Sequence, residues 1–186
     1  MSGHNKWSKI KREKAVTDSK KSKIFSKYSR AITIAAKQGG GDVASNPTLR
    51  LAVDKAKAER MPKDNILKAI DKGIGKTGGA DYHEVIYEGY GPEGVAFMVR
   101  GLTDNKNRTV AEIRNIFNKH GGSLGGVGST AYIFSPDPDN PSFEIEVESK
   151  DLAVKLTTLC ELLEDNDDVQ EVYTNFNISD ELAGLL

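Results

Sequence analysis

The sequence predicts an α+β protein: an N-terminal helical bundle, followed by a ferredoxin-like β-α-β-β-α-β domain with an extra leading strand. Apolar residues recur at helical spacing through residues 18–73, whereas strand and helix patterns alternate from about residue 84. Charge divides between the same halves: residues 1–76 hold 19 Lys and Arg against 7 Asp and Glu, and residues 77–186 hold 7 against 20. We therefore expect two domains with net charges of +12 and −13.

Three helices are expected in the basic half. The first covers residues 18–38 and ends at three consecutive glycines, and its buried stripe is expected to contain Ile24, Tyr28, Ala31, Ile32 and Ala35. Asn46 followed by Pro47 is typical of the start of the second helix, because Asn caps free backbone N–H groups and Pro tolerates the first helical position. The third covers residues 64–72, with Ile66, Leu67 and Ile70 inward and Gly73 as its C-terminal cap.

A stripe of cations runs beside the apolar stripe of the first helix, and a short basic segment precedes it. Both are candidate nucleic-acid contacts, because clustered cations attract a phosphate backbone. The candidates in the N-terminal arm, residues 1–17, are Lys6, Trp7, Lys9, Lys11, Arg12 and Lys14; those on the helix are Lys20, Lys23, Lys27 and Arg30. A solvated helix face is the alternative for the stripe, and Trp7 either stacks on a base or packs the arm onto the bundle.

Two glycine-rich segments resemble nucleotide-binding motifs only superficially. Gly75-Lys76-Thr77 lacks the earlier glycine of a phosphate-binding loop, and we interpret residues 77–83 as a linker. Residues 89–94 satisfy G-x-G-x-x-G, but a strand pattern follows where a helix is needed. They are interpreted as a tight turn between strands.

The acidic half, residues 84–186, has an ordered alternation of elements. After the leading strand at 84–88, we expect strand 95–102, helix 108–119, strands at 131–134 and 143–148, helix 151–164 and strand 169–176. The strand at 143–148 alternates apolar residues with glutamates, so it does not offer the aromatic face of an RNA-recognition motif. Cys160 falls on the apolar face of its helix and is interpreted as a core residue.

The chemistry-bearing residues do not form a recognisable catalytic site. His4, His83 and His120 are widely separated, so no metal site, no cofactor and no enzymatic activity are expected. The Asn and Asp residues of the segment 103–109 can supply turn and helix-cap hydrogen bonds. Lys106 and Arg108 in this segment are a candidate second contact in a domain with few cations. No apolar run approaches the ~20 residues that cross a bilayer, and the single cysteine fits a cytoplasmic protein.

Several segments in order resemble the YebC/PmpR family. They are G-H-N-K-W-S-K-I-K, K-I-F-S-K-Y-S-R-A-I, M-P-K-D-N-I, Y-E-G-Y-G-P-E-G-V, T-D-N-K-N-R-T-V-A-E-I-R and G-G-S-L-G. The family includes the mitochondrial translational activator of cytochrome c oxidase subunit I. The resemblance implies a helical domain followed by α+β domains and a role in gene expression. It also implies that a further small domain, present in most members, is absent here near residues 135–142.

The resemblance leaves two roles open for a non-enzymatic nucleic-acid-binding regulator. Bacterial members are described as DNA-binding transcriptional regulators, whereas mitochondrial and some bacterial members act in translation on the ribosome. The basic half would contact DNA or ribosomal RNA, and the acidic half would contact ribosomal or other basic proteins. A nuclease or NTPase, and a pure protein-interaction module whose domains pair between copies, are the alternatives from other classes; the oligomeric state stays open.

Overall fold

The structure is a computed structural model that describes residues 18–78 and 81–184, with side chains from residue 21 onward. Its elements divide between two compact units. One extends to His83 and also includes Leu102–Asp104; the other takes Glu84–Gly101 and continues from Asn105. Helices and an antiparallel sheet are both present, so the predicted α+β class is confirmed.

Among its described residues, the helical unit has three helices: α1 (Asp18–Gly39), α2 (Pro47–Ala58) and α3 (Lys63–Gly73). The predicted cap of α2 is confirmed, because Asn46 Oδ1 accepts a hydrogen bond from the backbone N–H of Leu49 at 3.0 Å. The Asn46 amide also donates to the carbonyls of Ala35 and Gly40, each at 2.8 Å. One buried side chain therefore starts α2 and holds the end of α1.

The core of this unit follows most of the predicted stripes. Ile32 and Ala35 are buried as expected, and α2 contributes Leu49, Val53 and Ala56. The prediction for Leu67 is wrong, since its side chain is 48% exposed. Ala69 takes its place, because Ile66, Ala69 and Ile70 follow the three-and-four spacing of one helical face.

The close approach of α3 to α1 depends on Gly73. The helix continues through this residue, which was expected to lie beyond it as a cap. A Cβ atom at Gly73 would lie 2.4 Å from the carbonyl oxygen of Thr33. The Thr33 hydroxyl donates to the carbonyl of Ala69 at 3.1 Å. The two helices are therefore in close contact near their C-terminal ends.

The α+β unit carries six strands and four helices among its described residues. In chain order these are β1 (His83–Tyr90), a 3-10 turn (Pro92–Gly94), β2 (Ala96–Thr103), α4 (Lys106–Lys119), β3 (Ser123–Leu124), α5 (Ala131–Phe134), β4 (Ile145–Val147), α6 (Lys150–Asp165), β5 (Val169–Thr174), β6 (Phe176–Ile178) and α7 (Asp180–Ala183). The turn between β1 and β2 confirms the interpretation of residues 89–94.

The strand order differs from the expected ferredoxin-like arrangement. The main sheet has the order β3-β1-β2-β5, so the extra leading strand β1 occupies the place beside β2. The strand expected at 143–148 is shortened to β4, which pairs in parallel with β6 in a separate two-stranded sheet. β2 and β5 are antiparallel, with Val99 opposite Val172. The α+β content was predictable, but the pairing was not.

The segment 131–134 was expected to be a strand and is the short helix α5. Its first backbone N–H groups face the carboxylate of Glu88, which accepts from Thr130 N at 2.6 Å and Ala131 N at 2.8 Å. The same carboxylate accepts from Gly128 N at 2.7 Å. A carboxylate at the free N–H groups of a helix favours the helical conformation there.

Alternate residues of β2 pack on opposite faces of the main sheet. Phe97 and Val99 join a core with α4 and α6, in which the Phe97 and Phe117 rings meet edge to face at 5.6 Å. Ala96 and Met98 pack on the other face against Ile133 and Phe134 of α5. Cys160 is buried in the first core, as expected.

Candidate nucleic-acid interface

The described cations of the predicted stripe lie along one side of α1. Lys23, Lys27 and Arg30 are separated by four and three residues, which places them within about a third of a turn of one another. Lys23 is exposed, and Lys27 and Arg30 are partly exposed. Lys20 lies in the helix, but its side chain falls outside the described part of the structure. The stripe therefore presents at least three cations along one side of a single helix.

The N-terminal arm falls outside the described residues. Its candidate contacts are Lys6, Trp7, Lys9, Lys11, Arg12 and Lys14. Their role stays a prediction from the sequence.

An open groove of about 420 Å³ lies beside the stripe, within the helical unit. It lies towards the N-terminal halves of α1 and α3, away from the close contact at Gly73. Polar side chains from both helices line it, together with three apolar or aromatic ones. The α1 residues are Ser22, Phe25, Ser26, Ser29 and Arg30, and the others are Met61, Asn65, Lys68 and Tyr82. Among these described lining residues there is no carboxylate.

Tyr82 contributes an aromatic ring from a segment that was expected to be a linker. Arg30 lies over this ring at 5.5 Å from its centroid, and the Lys72 ammonium lies at 4.8 Å. The Lys72 ammonium also donates to the Tyr82 hydroxyl at 3.3 Å. Cation–π contacts of this kind orient a cation, and the Arg30 guanidinium also donates to the backbone carbonyl of Leu102 at 3.4 Å. Tyr82 therefore positions Arg30 at the groove.

The neighbouring residue Asp81 also contacts the helical unit, through an ion pair with Lys37. The hydrogen bond and the positive charge of Lys37 hold the pKa of the Asp81 carboxyl below its ordinary value. Lys37 lies on the same helix as the cationic stripe, and its charge is balanced by Asp81. Residues 81 and 82 are thus held against the helices, although the sequence places them in the predicted linker 77–83.

The groove was not foreseen from the sequence, although one signal was available. Ser22, Ser26 and Ser29 recur at spacings of four and three, so they share one face of α1 with Arg30. The charge pattern of the sequence does not reveal this wall of the groove, because serines are uncharged. The opposite wall is supplied by α3 and by Tyr82, and only the folded structure shows that proximity.

The two cations of the proposed second contact, Lys106 and Arg108, have different surroundings in the structure. The Arg108 guanidinium donates to Asp168 at 2.7 Å, and the Thr109 hydroxyl donates to the same carboxylate oxygen at 2.6 Å. The Asp168 side chain is 3% exposed, so its charge depends on these partners. Arg108 therefore has a structural role within the α+β unit. Lys106, the first residue of α4, is exposed, and its role stays a prediction.

A metal centre and a membrane span each have their own structural requirements. Within residues 18–78 and 81–184, no group of three or more His, Cys, Asp or Glu side chains is placed to hold a metal ion. In the same part of the chain, no helix combines the length and the apolar character needed to cross a membrane.

Family models match most of this chain. The model of the TACO1/YebC protein N-terminal domain matches residues 5–76, and that of the TACO1/YebC second and third domain matches residues 82–137. The chain belongs to the TACO1/YebC family. The first match contains the helical unit's basic stripe and most of its groove, so these features lie in the N-terminal domain of a TACO1/YebC protein.

Individual TACO1/YebC relatives align over almost their whole length. A protein from Thermotoga petrophila named "Probable transcriptional regulatory protein" is 43% identical, over 97% of this chain and 95% of its own. A protein of the same name from Dictyoglomus thermophilum is 42% identical, over 98% of both chains. The crystal structure of a conserved hypothetical protein from Aquifex aeolicus superimposes with a TM-score of 0.81 at 32% identity, over 90% of this chain and 95% of that one.

The present chain is shorter than its relatives. Its alignment with the Thermotoga petrophila protein extends over 242 positions, whereas the chain has 186 residues. At least 56 residues of that relative therefore have no counterpart here. The expected location of this difference, near residues 135–142, stays a prediction.

Proposed function

We propose that this TACO1/YebC protein is a non-enzymatic regulator of gene expression that binds nucleic acid through its helical unit. The observation that carries the proposal is the alignment of Lys23, Lys27 and Arg30 along one side of α1, next to a groove whose described lining has no carboxylate. Phosphate contacts made by such cations supply affinity without reading sequence. The arm cations and Lys20 would extend the same surface.

DNA-binding transcriptional regulation is the form of this function that the relatives favour. Both named relatives carry the words "transcriptional regulatory protein". A DNA-binding regulator of this kind would act in the cytoplasm on promoter sequences. Discrimination between promoter duplexes at physiological salt is the expected behaviour; equal retention of all duplexes would contradict it.

Action on the ribosome is the second candidate, and the charge of the α+β half favours it. Residues 77–186 carry 20 Asp and Glu against 7 Lys and Arg. That half repels a nucleic acid but attracts basic proteins, and ribosomal proteins bound to RNA offer both partners together. A translation factor would cosediment with ribosomes during active translation. Migration only in the free fraction would contradict this candidate.

Crosslinking in cells, followed by identification of the bound nucleic acid, tests the proposal. We expect promoter DNA if the protein acts in transcription and ribosomal RNA if it acts in translation. A Lys23→Gln/Lys27→Gln variant should recover clearly less of either, while Lys150→Gln/Lys155→Gln in the α+β unit should not. Recovery of no nucleic acid by the wild-type protein would contradict the proposal.

Two further measurements address the alternatives from other classes. Metal- or ATP-dependent turnover by the purified protein would point to an enzyme. Salt-sensitive self-association without any nucleic-acid binding would point to an interaction module whose oppositely charged halves pair between copies. We expect neither result.

A further inference from the structure

The groove beside the stripe has the chemistry of an anion site. Arg30 reaches it from α1 and Lys68 from α3, so positive charge comes from both walls. Within the described part of the chain, Lys68 has no carboxylate partner within ion-pair distance. A guanidinium and an ammonium on facing walls suit a phosphate, which accepts several hydrogen bonds at once.

Short hydroxyl side chains keep the α1 wall both open and polar. Ser22 and Ser26 are exposed, and Ser29 is partly exposed, all on the face that also carries Arg30. Long side chains at these three positions would fill the space between the helices. Serine instead leaves room, and its hydroxyl can donate to a phosphate or accept from a sugar hydroxyl. This wall is therefore suited to a sugar–phosphate.

The groove also contains apolar surface that a simple phosphate ion would not need. Phe25 lies in the wall, Met61 is buried beneath it, and the Tyr82 ring closes one side. A nucleotide joins a phosphate to a flat ring, so it matches a site that has both kinds of surface. The volume of about 420 Å³ lies within the range of about 300–1,000 Å³ that small-molecule sites occupy.

The ring of a nucleotide is available to such a site only when the base is unpaired. Bases within a duplex are stacked on their neighbours, and the duplex presents phosphates rather than ring faces to a protein groove. We propose that the groove between α1 and α3 binds one unpaired nucleotide, with its phosphate between Arg30 and Lys68 and its base against Phe25. This assignment rests on the proposed nucleic-acid function and specifies single-stranded segments as the ligand of this surface.

Binding of labelled oligonucleotides to the full chain tests the assignment, with fluorescence anisotropy as the measurement. The probes are a 12-residue oligouridylate, a 12-residue oligothymidylate and a 12-base-pair DNA duplex. Ser26→Leu fills the groove without changing charge, and Lys68→Gln removes one of its cations. Lys63→Gln is the matched control, because Lys63 is an exposed cation of the same helix that does not line the groove.

We expect Ser26→Leu to weaken single-strand binding by about tenfold, because the leucine would occupy the space of the base and remove its stacking contact, and to leave duplex binding within about twofold. Lys68→Gln should also weaken single-strand binding more than duplex binding, whereas Lys63→Gln should affect both about equally. Tighter binding of oligouridylate than oligothymidylate would support the site and indicate that it distinguishes the sugar or the 5-methyl group of the base. Equal binding would support a site that reads phosphate and base alone.

Some results would overturn the assignment. An unchanged single-strand affinity in Ser26→Leu, or equal losses for single strand and duplex, would do so while the proposed function survives. Binding of the duplex alone by the wild-type protein would have the same meaning. Binding of none of the three probes would overturn the proposed function as well.

A second measurement does not depend on variants. Oligouridylate carrying 4-thiouridine should crosslink to Phe25 or Tyr82, as identified by mass spectrometry of the labelled peptide. Crosslinks confined to residues outside the groove would overturn the assignment.

Ser26 and Lys68 are both exposed, so their variants are expected to unfold at the wild-type temperature.

Discussion

The helical unit and the α+β unit place their charged side chains differently. Within the described residues, no charged side chain of the helical unit is buried, and its buried polar residues are the neutral Thr33, Asn46 and Thr103. The α+β unit buries two carboxylates, Glu88 and Asp168, which are 7% and 2% exposed. The charged side chains of the helical unit therefore lie at its surface, whereas part of the charge of the α+β unit is buried and holds the fold together. A net charge counted from sequence does not separate these two uses.

Substitution of Glu88 is expected to reduce stability the most. It tests whether the buried carboxylates hold the fold together. One carboxylate oxygen accepts from Thr130 N and Ala131 N, and the other from Gly128 N. In Glu88→Gln the amide nitrogen would face one of these donors. We expect the free energy of unfolding to fall by about 3 kcal/mol, since buried unsatisfied groups cost about 1–3 kcal/mol each. Urea unfolding measures the change.

Glu144→Gln is the matched control for Glu88→Gln. Glu144 is exposed, so the same loss of charge should change the unfolding free energy by less than about 0.5 kcal/mol. Equal effects at both positions would contradict a structural role for the buried carboxylate.

The pH dependence of stability gives a second test at Glu88. Burial alone would raise the pKa of this carboxyl, but hydrogen bonds from Gly128, Thr130 and Ala131 together lower it below the ordinary value of 4.5. The ionised carboxylate of Glu88 therefore stabilises the fold at pH values above the ordinary pKa of 4.5. This contribution is lost as the pH falls through the lower pKa of the folded state. The stability difference between wild type and Glu88→Gln should shrink on acidification. A difference that stays constant down to pH 2 would contradict this account.

Asn46 gives the next largest effect and tests the neutral polar core of the helical unit. Asn46→Ala removes the cap of α2 and the two hydrogen bonds to the end of α1. We expect a loss of about 1.5 kcal/mol in the unfolding free energy. Thr48→Ala, at an exposed position two residues later, is the control and should change stability little. Similar losses in the two variants would show that the cap is not the cause.

Substitution of Arg108 is expected to change stability the least of these substitutions. It tests whether this cation holds the fold together or contacts nucleic acid. Arg108→Gln removes the partner of Asp168, but the Thr109 hydroxyl remains, and the Arg108 side chain is 43% exposed. We expect a loss of about 1 kcal/mol in the unfolding free energy, and no change in nucleic-acid affinity. A clear loss of affinity would restore Arg108 as a contact and weaken the contrast between the units.

Local signals in the sequence predicted most of the helices. Asn46 and Pro47 mark the start of α2, and the long leucine-rich pattern after Ser149 predicts α6. These signals come from residues that are close together in the chain, so they do not depend on long-range contacts. Leu67 was misplaced because a short helix allows two apolar faces, and the choice between them depends on α1.

Long-range contacts decided the elements that the sequence did not predict. The four apolar residues 131–134 fit a strand or a helix equally well, and Glu88, more than 40 residues earlier, supplies the acceptor that caps the helix. β4 has the expected alternation, but its pairing with β6 is not encoded in its own residues. The groove depends in the same way on Lys68 and Tyr82 meeting the serines of α1.

The central claim is that the cations of α1 bind nucleic-acid phosphates, and the salt dependence of binding tests it most directly. The affinity of wild type and Lys23→Gln/Lys27→Gln for one duplex would be measured between 50 and 200 mM salt, with Lys150→Gln/Lys155→Gln as control. Each phosphate contact contributes about 0.9 to the slope of log affinity against log salt concentration. We predict that the α1 variant lowers the slope by about 2 and the control leaves it unchanged. An unchanged slope in the α1 variant would contradict the claim.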